Sequence, residues 1–504
     1  VRNDTVGLPI VIHEGSAYVT QGSERRSTGT HYTPPSLTEP IVRHTLEPLV
    51  YVGPAEGTPP EQWKLRAPAE ILALRVCDMA MGSGAFLVQA CRYLAERLVE
   101  AWSEQPSEGV RTLPGAEPSQ GLASERILPE GIDERLALAR RLVADRCLYG
   151  VDKNPMAVEM AKLSLWLVTF ERERPFTFLD HALRWGDSLL GLTDPEQVKW
   201  FHLDPARGRA LHAQENKLAV QGLFNFVEQL GPAFEKGASL RRQLEALPDD
   251  DIRDSETKAR LLREAEQSMA LVRVVADLVI ASALETAGKG AKKLDEKLTL
   301  LEMPLASALD PKVPFNDRWP LIEQLASVAA RTMNAGRPAG SDERRPFHWA
   351  LEFPEVFAED ERRGFDAIVG NPPFMGGKKI TGALGTDYRD VLVEHLAGDR
   401  RGNADLCAYF FLRANEILAS RGGFGLIATN TIAQGDTREV GLDALVAGGS
   451  TITRAIPSMK WPGAATLEVA CVWSRRGDWH GERTLQDHAV AAITPLLTVA
   501  GNVD

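Results

Sequence analysis

Residues 75–102 constrain the fold of this chain more than any other stretch. Arg75-Val76-Cys77-Asp78 is a short apolar run closed by an acid, and Met79-Ala80-Met81-Gly82-Ser83-Gly84 is a glycine loop. Residues 85–102 then carry Phe86, Leu87, Ala90, Leu94 and Leu98 at helical spacing. Strand, glycine turn and helix in immediate succession form the opening unit of a doubly wound α/β sheet. Glycine lets the backbone turn sharply and come close to a ligand. The free N–H groups of a helix start suit a carboxylate. No lysine follows the glycines, so the loop lacks the group that would reach ATP phosphates. The spacing is not GxGxxG, which speaks against a dinucleotide. A cofactor with a carboxylate and a ribose but no pyrophosphate fits better, and S-adenosylmethionine has that shape.

The alternation continues. Residues 147–151 read as a second strand ending at Asp152, where a carboxylate can accept both hydroxyls of a ribose. Asn154-Pro155 opens a helix with Met156, Met160, Leu163 and Leu167 on one face. Residues 183–187 read as a third strand ending at Asp187, placed for the edge of an adenine ring. The rival reading is three ordinary strand-end turns with solvated acids. A fourth strand, 365–370, is a buried apolar run that stops at Asn371-Pro372-Pro373-Phe374. The prolines stiffen the backbone and present the carbonyls of Asn371 and Pro372 in an extended conformation. An amide, a fixed carbonyl and the ring of Phe374 would suit a planar group with an exocyclic NH2. A helix over 404–420 and strands over 425–430, 451–456 and 467–473 follow, the last two as a hairpin. The expected architecture is a mixed seven-stranded sheet with helices on both faces. Upstream, Ser36 and Glu39 have the spacing of a capping box for a helix through residue 49.

Between the third and fourth strands the pattern changes. Residues 195–345 are charged and helical in pattern. Leu262, Ala265, Met269, Val272, Ala276 and Val279 mark a packed helical hairpin. The expected organisation is a lead-in over 1–28, a cofactor half over 29–194, a mainly helical insertion over 195–345, a catalytic and target-base half over 346–475, and the start of a further region over 476–504. The chain opens on Val1 and stops at Asp504, and the reading expects it to be part of a longer polypeptide. A net charge of −12 over 504 residues argues against a general basic coat for nucleic acid, though not against a locally basic cleft. The five cysteines, Cys77, Cys91, Cys147, Cys407 and Cys471, form no CxxC pair. Neither a disulfide framework nor a zinc site is expected, and a reducing cytoplasm fits this usage. No apolar run reaches the roughly 18 residues of a membrane helix.

The order of these motifs resembles a known family. Tyr32-Thr33-Pro34, then Asp78 to Gly84, then Asp152, Asp187 and Asn371-Pro372-Pro373-Phe374 is similar to the gamma-class amino-methyltransferases of DNA, which methylate N6 of adenine. The resemblance is strongest to methylases of type IIG restriction-modification systems and of BREX and DISARM phage defence. It implies a Rossmann-like class I methyltransferase fold, S-adenosylmethionine as cofactor, and double-stranded DNA as partner, with other defence subunits also possible partners. Tyr32, Thr33 and Pro34 would close over the methionine end of the cofactor, and Asp78, Gly82, Ser83 and Gly84 would hold its amino-acid part. Asp152 would take the ribose, Asp187 the adenine, and Met156 the adenine face. Asn371 and Pro372 would accept hydrogen bonds from the target NH2, Pro373 would stiffen the turn, and Phe374 would stack on the flipped base. Trp461 is the candidate for the other face of that base; its rival reading is a core tryptophan. Lys378 and Lys379, with Arg389, Arg400 and Arg401, could hold phosphates; their rival reading is a solvated charged surface. One position departs from the family: a proline usually follows the acid of the glycine loop, and here Met79 does. The same asparagine-proline-proline-aromatic turn also occurs in methyltransferases of protein glutamine and of RNA. An inactive scaffold subunit is the alternative from another class.

Overall fold

A computed structural model describes residues 33–105, 128–170, 177–215, 226–247, 251–310, 312–358, 363–462 and 467–501. Tyr32 and the lead-in 1–28 lie outside these residues. The first described helix, α1 (Pro35–Val50), does not use the expected capping box. Pro34 takes the cap position and Pro35 the first helical one, which leaves Ser36 inside the first turn. A proline there sacrifices only an N–H that no helix could satisfy.

The strands are β1 (Val76–Asp78), β2 (Leu148–Asp152), β3 (Leu183–Trp185), β4 (Phe365–Gly370), β5 (Leu418–Thr429), β6 (Thr451–Lys460), β7 (Glu468–Arg475), β8 (Arg483–Leu485) and β9 (His488–Val490). They form one sheet in the order β9-β8-β6-β7-β5-β4-β1-β2-β3. The seven expected strands are all present, and β8 and β9 extend the sheet to nine. The five strands β3-β2-β1-β4-β5 are parallel. β7 runs antiparallel to both β5 and β6, so β6 and β7 pair as the expected hairpin. From β1 the chain leaves to β2 on one side, while β4 lies on the other. The gap between β1 and β4 is therefore the switch point where open α/β sheets bind ligands.

Period-two alternation sorts the strand residues onto two faces. Val76, Ala367, Val369, Ile427, Val469, Cys471 and Trp473 enter a core with α1 and α2 (Ala85–Glu104). Cys77, Phe365, Ile368, Leu426, Ala428, Ala470 and Val472 enter the core on the opposite face. That second core also takes in Met269, Val272, Ala276 and Val279 from the segment expected as an insertion. The segment holds four long helices, Phe226–Ala246, Ile252–Thr286, Ala291–Leu309 and Phe315–Ala335. Its helices share a core with the sheet and serve as part of one covering layer.

Buried ion pairs lash this layer down. Lys258 Nζ lies 2.6 Å from Asp145 Oδ1, and Arg241 donates to both oxygens of Glu355 at 2.6 and 3.0 Å. Glu352 accepts from Arg184 at 2.9 Å and from Arg273 on the long helix Ile252–Thr286. The helix Pro155–Val168 differs from its expected packing. It buries Val158, Ala161 and Leu165, while Met156, Met160, Leu163 and Leu167 face solvent, Leu167 at 70% exposure. All five cysteines are buried and free. Among the described residues no helix is long and apolar enough to cross a membrane, and no group of three or more metal-ligating acids, histidines or cysteines gathers.

Candidate active site

The carboxyl ends of β1 and β4 lie side by side, with Cys77 opposite Ile368 in register. Each strand therefore delivers its next residues to the same rim of the sheet. From β1 comes Asp78, only 1% exposed, with one carboxylate oxygen accepting from the Ala80 N–H at 3.0 Å. The loop then bends through left-handed backbone at Gly82 (φ 52°) and Gly84 (φ 82°), conformations costly for any residue with a Cβ. A Cβ on Gly82 would meet nothing within 4 Å, so the space above the loop is open. The Met81 N–H donates to the carbonyl of Val151 at 3.0 Å and the Gly82 N–H to Asp152 Oδ2 at 2.9 Å. These bonds pin the loop to the end of β2. The other oxygen of Asp152 accepts from the Asn154 N–H at 2.8 Å. Met79, where the resembling family carries proline, is buried, and its carbonyl accepts from the hydroxyl of Ser188.

Burial pushes the Asp78 carboxyl up to about 8; the Ala80 N–H holds it back and the charge of Asp152 raises it further. Burial also raises Asp152, against the N–H groups of Asn154 and Gly82. Two acids are thus held desolvated around a loop open to one side.

From β4 comes Asn371. Gly370 precedes it for a steric reason: a Cβ there would stand 2.8 Å from Asp78 Oδ1. The acid of one strand end therefore packs against the backbone of the other. Asn371 Nδ2 donates to Thr33 Oγ1 at 3.1 Å. Asn371 Oδ1 and Asp78 Oδ2 are both buried, and among the described residues neither has a hydrogen-bond partner. Leaving a buried polar atom unpaired costs roughly 1–3 kcal/mol, so two such oxygens on adjacent strand ends call for an explanation. Downstream, the Met375 N–H donates to Asp405 Oδ1 at 3.1 Å, which anchors the proline turn to the start of the helix Leu406–Ile417. Phe374 is half-buried and packs against both core clusters.

The other expected residues fall as follows. Thr33 and Pro34 stand immediately before α1, beside Asn371 through the Thr33 hydroxyl. Ser83 lies in the loop, and Met156 is exposed at the start of its helix. Asp187 is buried, and its carboxylate already accepts from the Tyr388 hydroxyl at 2.9 and 3.1 Å and from the Leu189 N–H at 3.1 Å. Lys153 Nζ adds an ion pair at 3.5 Å. A direct contact with adenine would share this carboxylate with those partners. Trp461 is 8% exposed within the core cluster that Phe374 borders, which is the packing its rival reading describes. Lys378 and Lys379 are exposed on the first turn of the helix Gly377–Leu384. Arg389 and Arg400 donate to the carbonyls of Gly402 and Ala397, and Arg401 lies 3.8 Å from Glu394. Sequence reasoning missed Gly370, Asp405, Tyr388 and Lys153. Gly370 stood directly before the asparagine, but what it makes room for lies on another strand; the other three act across long sequence separations and left no local signal.

This strand order, with the antiparallel β7 beside the parallel set and a glycine loop at the switch point, is a Rossmann-like class I methyltransferase fold. A family model described as Eco57I restriction-modification methylase matches residues 146–446, and the chain belongs to that family. Among curated proteins, the chain is 22% identical over 455 residues to a type II restriction enzyme and methyltransferase of Methanocaldococcus jannaschii, covering 82% of this chain and 32% of that protein. It is 24% identical over 183 residues to the type II restriction enzyme and methyltransferase RM.Eco57I of Escherichia coli, covering 34% of this chain and 16% of that one. The chain thus spans about a third of the first relative's length and about a sixth of the second's. Among solved structures, the Type IIL restriction-modification enzyme MmeI in complex with DNA aligns over 96% of this chain and 43% of that one, at 13% identity and a TM-score of 0.40. The ATP-dependent Type ISP enzyme LlaBIII bound to DNA aligns over 90% of this chain and 19% of that one, at 9% identity and a TM-score of 0.37.

Proposed function

We propose that this chain transfers the methyl group of S-adenosylmethionine to N6 of adenine in double-stranded DNA, as the self-marking activity of a restriction-modification or phage-defence system. The observation that carries the reading is the pair of buried, partnerless oxygens, Asp78 Oδ2 and Asn371 Oδ1, on adjacent strand ends at the switch point. One suits an ammonium group and the other an amine N–H. The donor set fits the cofactor. Asp78 suits an ammonium, the N–H groups of the first turn of α2 suit a carboxylate, and Asp152 suits a ribose. Pro34 borders the amino-acid end, and Met156 and Asp187 the adenine end. When bound, S-adenosylmethionine supplies an electrophilic methyl group on a sulfonium.

The residues of the chain do the rest. Asn371 Oδ1 and the Pro372 carbonyl accept the two N–H bonds of the target amine. That turns the nitrogen lone pair out of the ring plane and toward the cofactor side. Pro372 and Pro373 fix those acceptors before the base arrives, so the rate gain comes from positioning. Adenine N6 is out of reach inside a duplex, and extruding the base costs a few kcal/mol. Stacking on Phe374 offsets roughly 1–3 kcal/mol of that. Trp461 backs the same pocket through the core cluster, and Lys378 and Lys379 meet phosphates beside it. The test is to incubate the chain and Asn371→Ala with methyl-labelled cofactor and plasmid DNA, total RNA or protein. The reading expects label in DNA from the native chain, and none from the variant, whose cofactor affinity stays within about threefold. Label in protein or RNA alone would sink it, as would full activity of the variant.

A further inference from the structure

Thr33 sits 338 residues from Asn371 in sequence, yet the Asn371 amide donates to its hydroxyl at 3.1 Å. An asparagine amide is nearly symmetric in shape, and a rotation of about 180° exchanges its oxygen and nitrogen. Which end faces the pocket decides what the pocket can recognise. With oxygen inward, it accepts from an NH2 group; with nitrogen inward, it donates to a ring nitrogen or carbonyl and cannot hold an amine productively. The amide nitrogen of Asn371 is tied to Thr33, and the oxygen is the end left buried without a partner. Thr33 is itself buried, 5% exposed, and stands immediately before Pro34, the cap residue of α1. Pro34 and Pro35 hold that entry rigid, and the Leu37 and Thr38 N–H groups close on the Pro34 carbonyl at 2.9 and 3.2 Å. The hydroxyl is therefore presented by a stiff element rather than a free loop.

We infer that Thr33 is a positioning residue: its hydroxyl tethers the Asn371 amide nitrogen, and so holds the amide oxygen in place to accept from an exocyclic amine. This rests on the proposed role of Asn371 and gives Thr33 a task other than closing over the cofactor. The two tasks separate experimentally. Thr33→Val keeps the shape and removes the oxygen; Thr33→Ser keeps the oxygen. In the full chain with unmethylated plasmid DNA, T33V is expected to lower turnover at saturating S-adenosylmethionine by roughly 10- to 100-fold, the scale of a misoriented catalytic group. Cofactor affinity by calorimetry should stay within about threefold of native, and T33S should recover most of the lost rate. If T33V weakens cofactor binding and leaves saturated turnover unchanged, Thr33 is a cofactor contact and the inference is overturned. If Asn371→Ala is itself active, the underlying reading fails first, and the two failures are distinguishable. A second measurement is independent of turnover. In asparagine-selective 15N spectra, the Asn371 side-chain NH2 pair should show slowed hydrogen exchange in native chain and in T33S, and lose it in T33V. Equal exchange in all three would overturn the inference even where T33V is poorly folded or inactive.

Discussion

Asp78 is placed where an aspartate is least comfortable, desolvated, beside a second acid and with one oxygen unpaired. Its cost to the empty fold has a definite pH signature. An unfolded aspartate titrates at about 3.9, and burial brings Asp78 up to about 8 in the folded chain. Between those values the folded chain keeps a proton that the unfolded chain has released. Stability therefore falls as the pH rises through that window and levels off above it. Asp78→Asn should remove this slope, so that its melting midpoint exceeds the native one at pH 9 and approaches it at pH 5. The same substitution should weaken S-adenosylmethionine binding roughly 10- to 100-fold, as expected for loss of a hydrogen bond to a charged group. A variant that binds the cofactor normally would remove Asp78 from the site. At this scale the sequence disclosed the acids and the asparagine because they stand at strand ends. It did not disclose that Gly370 makes room for Asp78, or that the Asp187 carboxylate is shared with Tyr388. Those relations are set by which strands become neighbours.

At the scale of elements, short apolar runs bounded by acids, glycine loops or the asparagine-proline turn made the strands legible, down to the hairpin of β6 and β7. The limits were less legible where glycine intervened. The helix expected to reach residue 420 stops at Ile417, and β5 begins at Leu418, with an irregular register against β4 before Gly423. The helical segment 195–345 was legible as helices but not as a layer. Its attachment to the sheet runs through residues such as Glu352, Arg184 and Arg273, which meet only in the folded chain. Burial works against the charged form of Glu352, but the guanidiniums of Arg273 and Arg184 overcome it and hold its carboxyl down at about 2. The stabilisation is complete above the unfolded glutamate value of about 4.3 and is lost as the pH falls through about 2. Glu352→Ala removes the shared partner of both cations, leaving Arg184 with Glu266 and Arg273 partly exposed, so the loss should fall below the roughly 3–5 kcal/mol of a fully buried broken pair. A lower denaturation midpoint at pH 7, with one cooperative transition for sheet and helices together, is the expected result. Separate transitions would mean the helical segment is an independent body. The helix Pro155–Val168 shows how periodicity misleads: four large apolar residues recur on one face, but smaller Val158, Ala161 and Leu165 make the packed side.

For the molecule as a whole, a net charge of −12 means that, on the proposed function, DNA would be held by local rather than global attraction. Lys378 and Lys379 stand exposed on the first turn of the helix Gly377–Leu384, and on that reading they would meet phosphates beside the extruded base. Replacing both by glutamine should weaken DNA binding about equally for all sequences and reduce the slope of log affinity against log salt by about 2, near 0.9 per phosphate contact. An unchanged slope would assign them to solvent. The central claim is tested most directly by the nucleosides themselves. DNA from cells lacking adenine methylation, but expressing this chain or its Asn371→Ala variant, would be digested and analysed by mass spectrometry. The account predicts N6-methyladenine from the native chain and none from the variant. Methylated cytosine in place of N6-methyladenine, or N6-methyladenine from both chains alike, would contradict it.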